Sequence, residues 1–122
     1  MKGSTEICPR FEVAAELLGK RWTGLILRVL LDGPKRFCEL SGTLENLSER
    51  MLSERLKELE ANGIVQRRVQ PTTPVQVDYR LTEKGQSLKG VVDAMGKWAE
   101  AWVNPEDCAV AEEPARRARQ AK

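Results

Sequence analysis

Three thiols, Cys8, Cys38 and Cys108, and a scatter of arginines and lysines are the residues of this chain with chemistry to offer. A thiolate can be alkylated or oxidised, and a helix N-terminus or a nearby cation favours its formation. Cys8 directly precedes Pro9, a residue suited to the first position of a helix, and Lys20 or Arg21 would assist it if the fold brought them close. Cys38 reads as a small buried residue and Cys108 as incidental. The three lie far apart, make an odd count and lack metal-ligand spacing, which suits a reducing cytoplasm better than a disulfide scaffold. No metal or cofactor is expected. The 122 residues contain no histidine, which removes the commonest general base, the commonest imidazole ligand and every His-containing triad. A thiol enzyme built on Cys8 would need a partner base or a resolving thiol, so an enzyme is not expected.

The cations carry the other possible chemistry, recognition of a polyanion. Twenty Lys and Arg against eighteen Asp and Glu leave a net charge of +2, too small a bias to specify such a partner, so placement must decide. The length fits one domain, with residues 1–103 as the folded unit and 104–122 as a flexible tail. The amino terminus has no apolar run behind its charge, and the stretch from Leu25 to Leu31 is broken by Arg28, so neither an export leader nor a membrane span is expected.

The elements that must position these residues follow from hydrophobic spacing. Phe11, Ala14, Ala15 and Leu18 repeat with the helical period, as do Trp22, Leu25, Ile26, Val29 and Leu30 up to the stop at Asp32-Gly33-Pro34. Phe37, Leu40 and Leu44 mark a third, short helix. Ser48 is a strong N-cap for a fourth, whose Leu52, Leu56 and Leu59 point inward before Asn62-Gly63 ends it; Leu47 can staple onto Leu52. The period then changes to two. Val65, Arg67 and Val69 alternate, and beyond Pro71-Thr72-Thr73-Pro74 the residues Val75, Val77, Tyr79 and Leu81 alternate with Gln76, Asp78 and Arg80, which predicts a β-hairpin. Thr82 caps a final helix bearing Leu88, Val91, Met95, Trp98 and Trp102 at heptad-like steps.

Three helices, a hairpin and a closing helix give an α+β, mostly helical plan, a winged helix-turn-helix with a two-stranded wing. On a helical wheel Leu56 and Leu59 fall within about 40° of Leu52, and Arg50, Ser53, Glu54 and Lys57 occupy the opposite half. A major groove admits one α-helix, and its first turns reach base edges; here those turns carry Ser48, Glu49, Arg50, Ser53 and Glu54. Arg50 suits guanine. Ser53 suits base or phosphate, and Glu49 and Glu54 sharpen selectivity by accepting from cytosine or repelling phosphate. Lys35 and Arg36, placed at the start of the third helix, suit phosphate together with free backbone N–H groups. Arg67, Arg68 and Arg80, with Thr72 and Thr73 in the loop, give the wing a positive character. Two further readings stay open: an ordinary solvated charged face, and a winged helix used as a protein-interaction module without sequence-specific DNA binding.

Several segments in order resemble the HxlR-type family of bacterial transcription regulators. They are Cys8-Pro9, Gly19 to Thr23, Leu31 to Phe37 with Glu39-Leu40, Ser48 with Met51-Leu52-Ser53, Arg55 to Glu60, Gly63 to Val65, and Val77 to Gly85. The match runs from residue 8 to about 103; Cys38 stands where relatives often have glycine. The resemblance implies a homodimer on double-stranded DNA with a near-palindromic operator, the first and last helices forming much of the dimer contact. Phe11, Leu88, Val91, Met95, Trp98 and Trp102 are the expected interface residues, and two Trp on one helix independently exceed what a thin domain easily covers. It also implies, for several members, sensing of electrophiles, quinones or oxidants by a cysteine at the position of Cys8. The operator half-sites are then expected about 10 base pairs apart or a multiple of that.

Overall fold

The computed structural model describes residues 6–108. The order of elements is α1 (Pro9–Gly19), α2 (Thr23–Leu30), β1 (Lys35–Arg36), α3 (Phe37–Thr43), α4 (Glu49–Ala61), β2 (Val65–Gln70), β3 (Gln76–Leu81), α5 (Glu83–Gln86) and α6 (Lys89–Trp102). The strands form one antiparallel sheet in the order β1-β3-β2. This is the expected winged helix-turn-helix plan with a third strand added.

The core is made where α2, α3, α4 and the base of the hairpin meet. Ile26, Leu27 and Leu30 of α2, Leu40 of α3, Leu52, Leu56 and Leu59 of α4, and Ile64, Val65 and Leu81 beside them are buried. The leucine stripe of α4 is 0–1% exposed, so burial of these three side chains contributes on the order of 1.5–3 kcal/mol each as an upper bound. Ser48 starts the helix as expected: the Met51 N–H donates to its Oγ at 3.1 Å. Gly63 ends it at φ +74°, a left-handed conformation in which a side chain would be strained.

Three expectations need correction. Leu25, expected inside, is 50% exposed, and Leu27 is fully buried in its place. In a helix as rich in leucine, isoleucine and valine as α2, periodicity alone does not choose the stripe. The final helix is two helices. Thr82 caps only α5, its Oγ1 accepting from the Gly85 N–H, and the Leu88 N–H bonds to the Gly85 carbonyl in a tightened turn before α6 begins. Glycine is required at position 85, because a Cβ there would lie 2.3 Å from the carbonyl oxygen of Ile64. Cys38 is exposed, not buried, since Phe37 and Leu40 supply the inward side of α3. Asp78 alternates with Val77 and Tyr79 as expected and is only 8% exposed. As for the proposed tail, residues 105–108 are helical and 109–122 lie outside the described residues.

Candidate nucleic-acid interface

α3 and α4 form the helix-turn-helix, with Leu44 and Leu47 of the intervening turn buried and holding α4 against the core. What α4 leaves outside is polar. The Arg50 side chain is 89% exposed and its Nε stands 3.7 Å from Glu54 Oε1. An exposed pair of this kind is worth about 0–1 kcal/mol, and with the cation on the N-terminal side it has the weaker i,i+4 orientation. Arg50 can therefore leave Glu54 for a guanine edge at little cost. Glu49 and Lys57 are exposed and Ser53 is half-buried. The Ser48 hydroxyl oxygen is engaged as the N-cap.

Sequence reasoning missed what fixes the inner flank of α4. Arg55 Nε donates to the Arg21 carbonyl at 2.9 Å, and its guanidinium pairs with Glu58, which also pairs with Lys20 at the end of α1. The hydrogen bond from Lys20, and then that from Arg55, hold the Glu58 carboxyl below its usual range. This cluster ties the recognition helix to α1. The available signal was Arg55 with Glu58 at i+3 on the edge of the leucine stripe.

Lys35 and Arg36 stand immediately before α3 and also belong to a strand that the sequence did not show. They form β1, paired with Tyr79 and Asp78 of β3, and Arg36 is the N-cap of α3. The Arg36 N–H already donates to Glu39 Oε1 at 2.8 Å, so the expected backbone grip on phosphate is taken there. The register also divides the wing cations. Lys35 and Arg67 both pair with Tyr79 and share its face of the sheet; Arg36 and Arg68 both pair with Asp78 and share the opposite face with Arg80. Arg67, Arg68, Thr72 and Thr73 are exposed, and the Thr72 hydroxyl donates to the Pro74 carbonyl at 2.7 Å.

Cys8 is the N-cap of α1 and exposed, as are Cys38 and Cys108. The cations expected to assist Cys8 have other partners: Lys20 holds Glu58, and the Arg21 guanidinium lies 4.8 Å above the centre of the Trp22 ring. α1 buries no residue and leaves Phe11 exposed; α6 buries only Val92. Val91, Met95, Trp98 and Trp102 are exposed, Trp102 to 76%, whereas Leu88 is half-buried against the core of its own domain. Among the described residues no group of three or more His, Cys, Asp or Glu could hold a metal ion. Nor is any helix among them long and apolar enough to cross a membrane.

A recognition helix with a spare polar face, a basic hairpin beside it and helices with uncovered apolar faces make up a winged helix-turn-helix regulator. Residues 17–107 match the model of the HxlR-like helix-turn-helix family. The HTH-type transcriptional regulator YodB of Bacillus subtilis is 54% identical over 107 residues, covering 88% of this chain and 96% of YodB. The solved reduced form of YodB superposes with a TM-score of 0.73 at 55% identity, over 82% of this chain and 98% of that one. YodB has also been solved diamide-treated and quinone-bound. The oxidized form of the redox regulator HypR gives a TM-score of 0.74 at 38% identity, over 80% of this chain and 99% of that one. The chain belongs to the HxlR-like helix-turn-helix family. It is a DNA-binding transcriptional regulator, like these relatives.

Proposed function

We propose that two copies of this chain bind a near-palindromic operator, with Arg50 reading a base edge and Lys35, Arg36, Lys57, Arg67 and Arg68 holding the phosphate backbone. The observation that carries this is the division of α4: three leucines at 0–1% exposure on one side, and on the other an arginine side chain 89% exposed. Phe11, Val91, Met95, Trp98 and Trp102 provide the dimer contact, with Leu88 supporting α6 from within the domain. DNA as partner makes the cytoplasm the place of action. The proposal gives the protein no catalytic step.

Control passes through Cys8. Its thiolate adds to an electron-poor quinone ring, which takes up a proton to become the S-substituted hydroquinone, or forms a disulfide with a second thiol while diamide takes up the two electrons and two protons, at the start of α1. The new group stands where α1 would meet a second copy, so it shifts one recognition helix against the other. Support comes from the exposed N-cap position of Cys8 and from the redox forms in which YodB and HypR have been solved.

The test is a gel shift with the duplex upstream of the protein's own gene, using wild type and Cys8→Ser, each reduced and then treated with a quinone or with diamide. Binding by the reduced protein that falls steeply with salt, and is lost on treatment only in the wild type, supports the reading. A flat salt response removes the DNA assignment, and equal behaviour of both proteins removes Cys8.

A further inference from the structure

We infer that Asp78 is a positioning residue for the basic face of the wing: its buried carboxylate holds Arg80 in place beside Arg36 and Arg68, so that the face they share binds phosphate. The inference rests on the DNA-binding reading above and adds a residue that works without touching DNA. Asp78 lies on the central strand, with Arg36 directly opposite on β1 and Arg68 directly opposite on β2. Side chains at directly opposed positions project from the same face, with Cβ atoms about 4.5–5.5 Å apart. Two residues along the strand, Arg80 brings its Nε and Nη2 each to 3.5 Å from Asp78 Oδ1. The Arg80 Nε is buried and has no hydrogen-bond partner, so the carboxylate is the counter-charge it faces. On the other oxygen, Gln70 Nε2 donates to Oδ2 at 2.8 Å across the hairpin.

A carboxylate on a face meant for a polyanion repels that polyanion, and a carboxylate taken out of water is costly unless paired. Both penalties run against keeping an acid here. The geometry supplies the offset: the carboxylate faces the Arg80 guanidinium and accepts from Gln70. Its two oxygens also link Arg80 on β3 to Gln70 at the end of β2, which sets the direction of the Arg80 guanidinium. Arg80, held in this way on the face it shares with Arg36 and Arg68, meets phosphate without first losing side-chain freedom.

The proposal makes a prediction opposite in sign to simple charge counting. Asp78→Asn adds one unit of positive charge, which by itself tightens binding to any duplex. If Asp78 positions Arg80, Asp78→Asn instead weakens binding to the upstream duplex about tenfold. It also lowers the slope of log K against log salt by about one for each phosphate the wing no longer neutralises. Arg80→Gln produces a similar loss, and the double variant Asp78→Asn/Arg80→Gln is little worse than either single variant. Binding is measured by fluorescence anisotropy on the full chain, with thermal unfolding of each variant as the check on folding. Should Asp78→Asn not fold, Gln70→Met serves, since it removes the 2.8 Å donor without changing charge; it too must weaken binding. Unchanged or tighter binding by Asp78→Asn, or by Gln70→Met where Asp78→Asn does not fold, overturns the role of Asp78, and so do single effects that simply multiply. Failure of the wild type to bind any duplex overturns the DNA-binding reading itself, so the two failures are distinguishable.

Discussion

α4 and α6 are of similar length and both are amphipathic, yet the domain treats them in opposite ways. α4 buries three leucines and turns a charged face outward; α6 buries Val92 and turns Val91, Met95, Trp98 and Trp102 outward. One helix is completed by its own domain and has polar groups to offer a polyanion. The other is left with an uncovered apolar side, which in the proposed dimer is covered by the same side of a second copy. A helix-turn-helix regulator needs both conditions, because symmetric operator reading requires a rigid reader and a fixed distance between readers.

Truncating the buried stripe gives the largest effect. Leu56→Ala is expected to lower unfolding stability by about 2–5 kcal/mol, read as a lower denaturant midpoint. The same kind of change on α6 has a different signature. Trp98→Ala with Trp102→Ala leaves the monomer's packing nearly intact but raises the dimer dissociation constant by about 30-fold or more, since even one such Trp acting as a hot spot contributes about 2 kcal/mol. Sedimentation over a range of concentrations checks this, and an unchanged monomer–dimer equilibrium would break the contrast between the two helices. Ser48→Ala removes the cap of α4 and is expected to cost about 1 kcal/mol of stability, measured by thermal unfolding.

The smallest effect concerns the link between α1 and α4. Glu58 is held below its usual pKa of 4.5, first by Lys20 and then by Arg55. A carboxylate with a depressed folded-state pKa stabilises the fold above the unfolded value, and that contribution fades as pH falls through the folded value. Acid titration of the melting temperature should therefore show a loss beginning below pH 4.5 in the wild type and a shallower loss in Glu58→Gln. Identical profiles would remove the cluster from the account.

The contrast between α4 and α6 was largely legible in the sequence, because a 3.6-residue period and a strong N-cap report local geometry directly. What the sequence did not reveal depends on contacts distant in the chain. β1 is two residues long and exists only because β3 pairs with it, so Lys35 and Arg36 read as the edge of a helix. The break between α5 and α6 leaves no mark in the pattern, since helical spacing continues on both sides of it. Period-two alternation assigns Asp78 to the face away from the core, which is correct. It does not reveal that Arg80 and Gln70 reach that carboxylate from the same face. Likewise Arg55 and Lys20 are ordinary surface cations until the fold brings Glu58 between them.

The most direct test of the reading of α4 is a base-by-base profile. Binding free energies of wild type and Arg50→Ala are measured on the operator and on its single-base-pair variants, at one salt concentration. The account predicts that Arg50→Ala erases about 1–3 kcal/mol of discrimination at one symmetric pair of positions and leaves the rest of the profile unchanged. An Arg50→Ala profile that parallels the wild type at every position would show that the exposed face of α4 does not read the duplex.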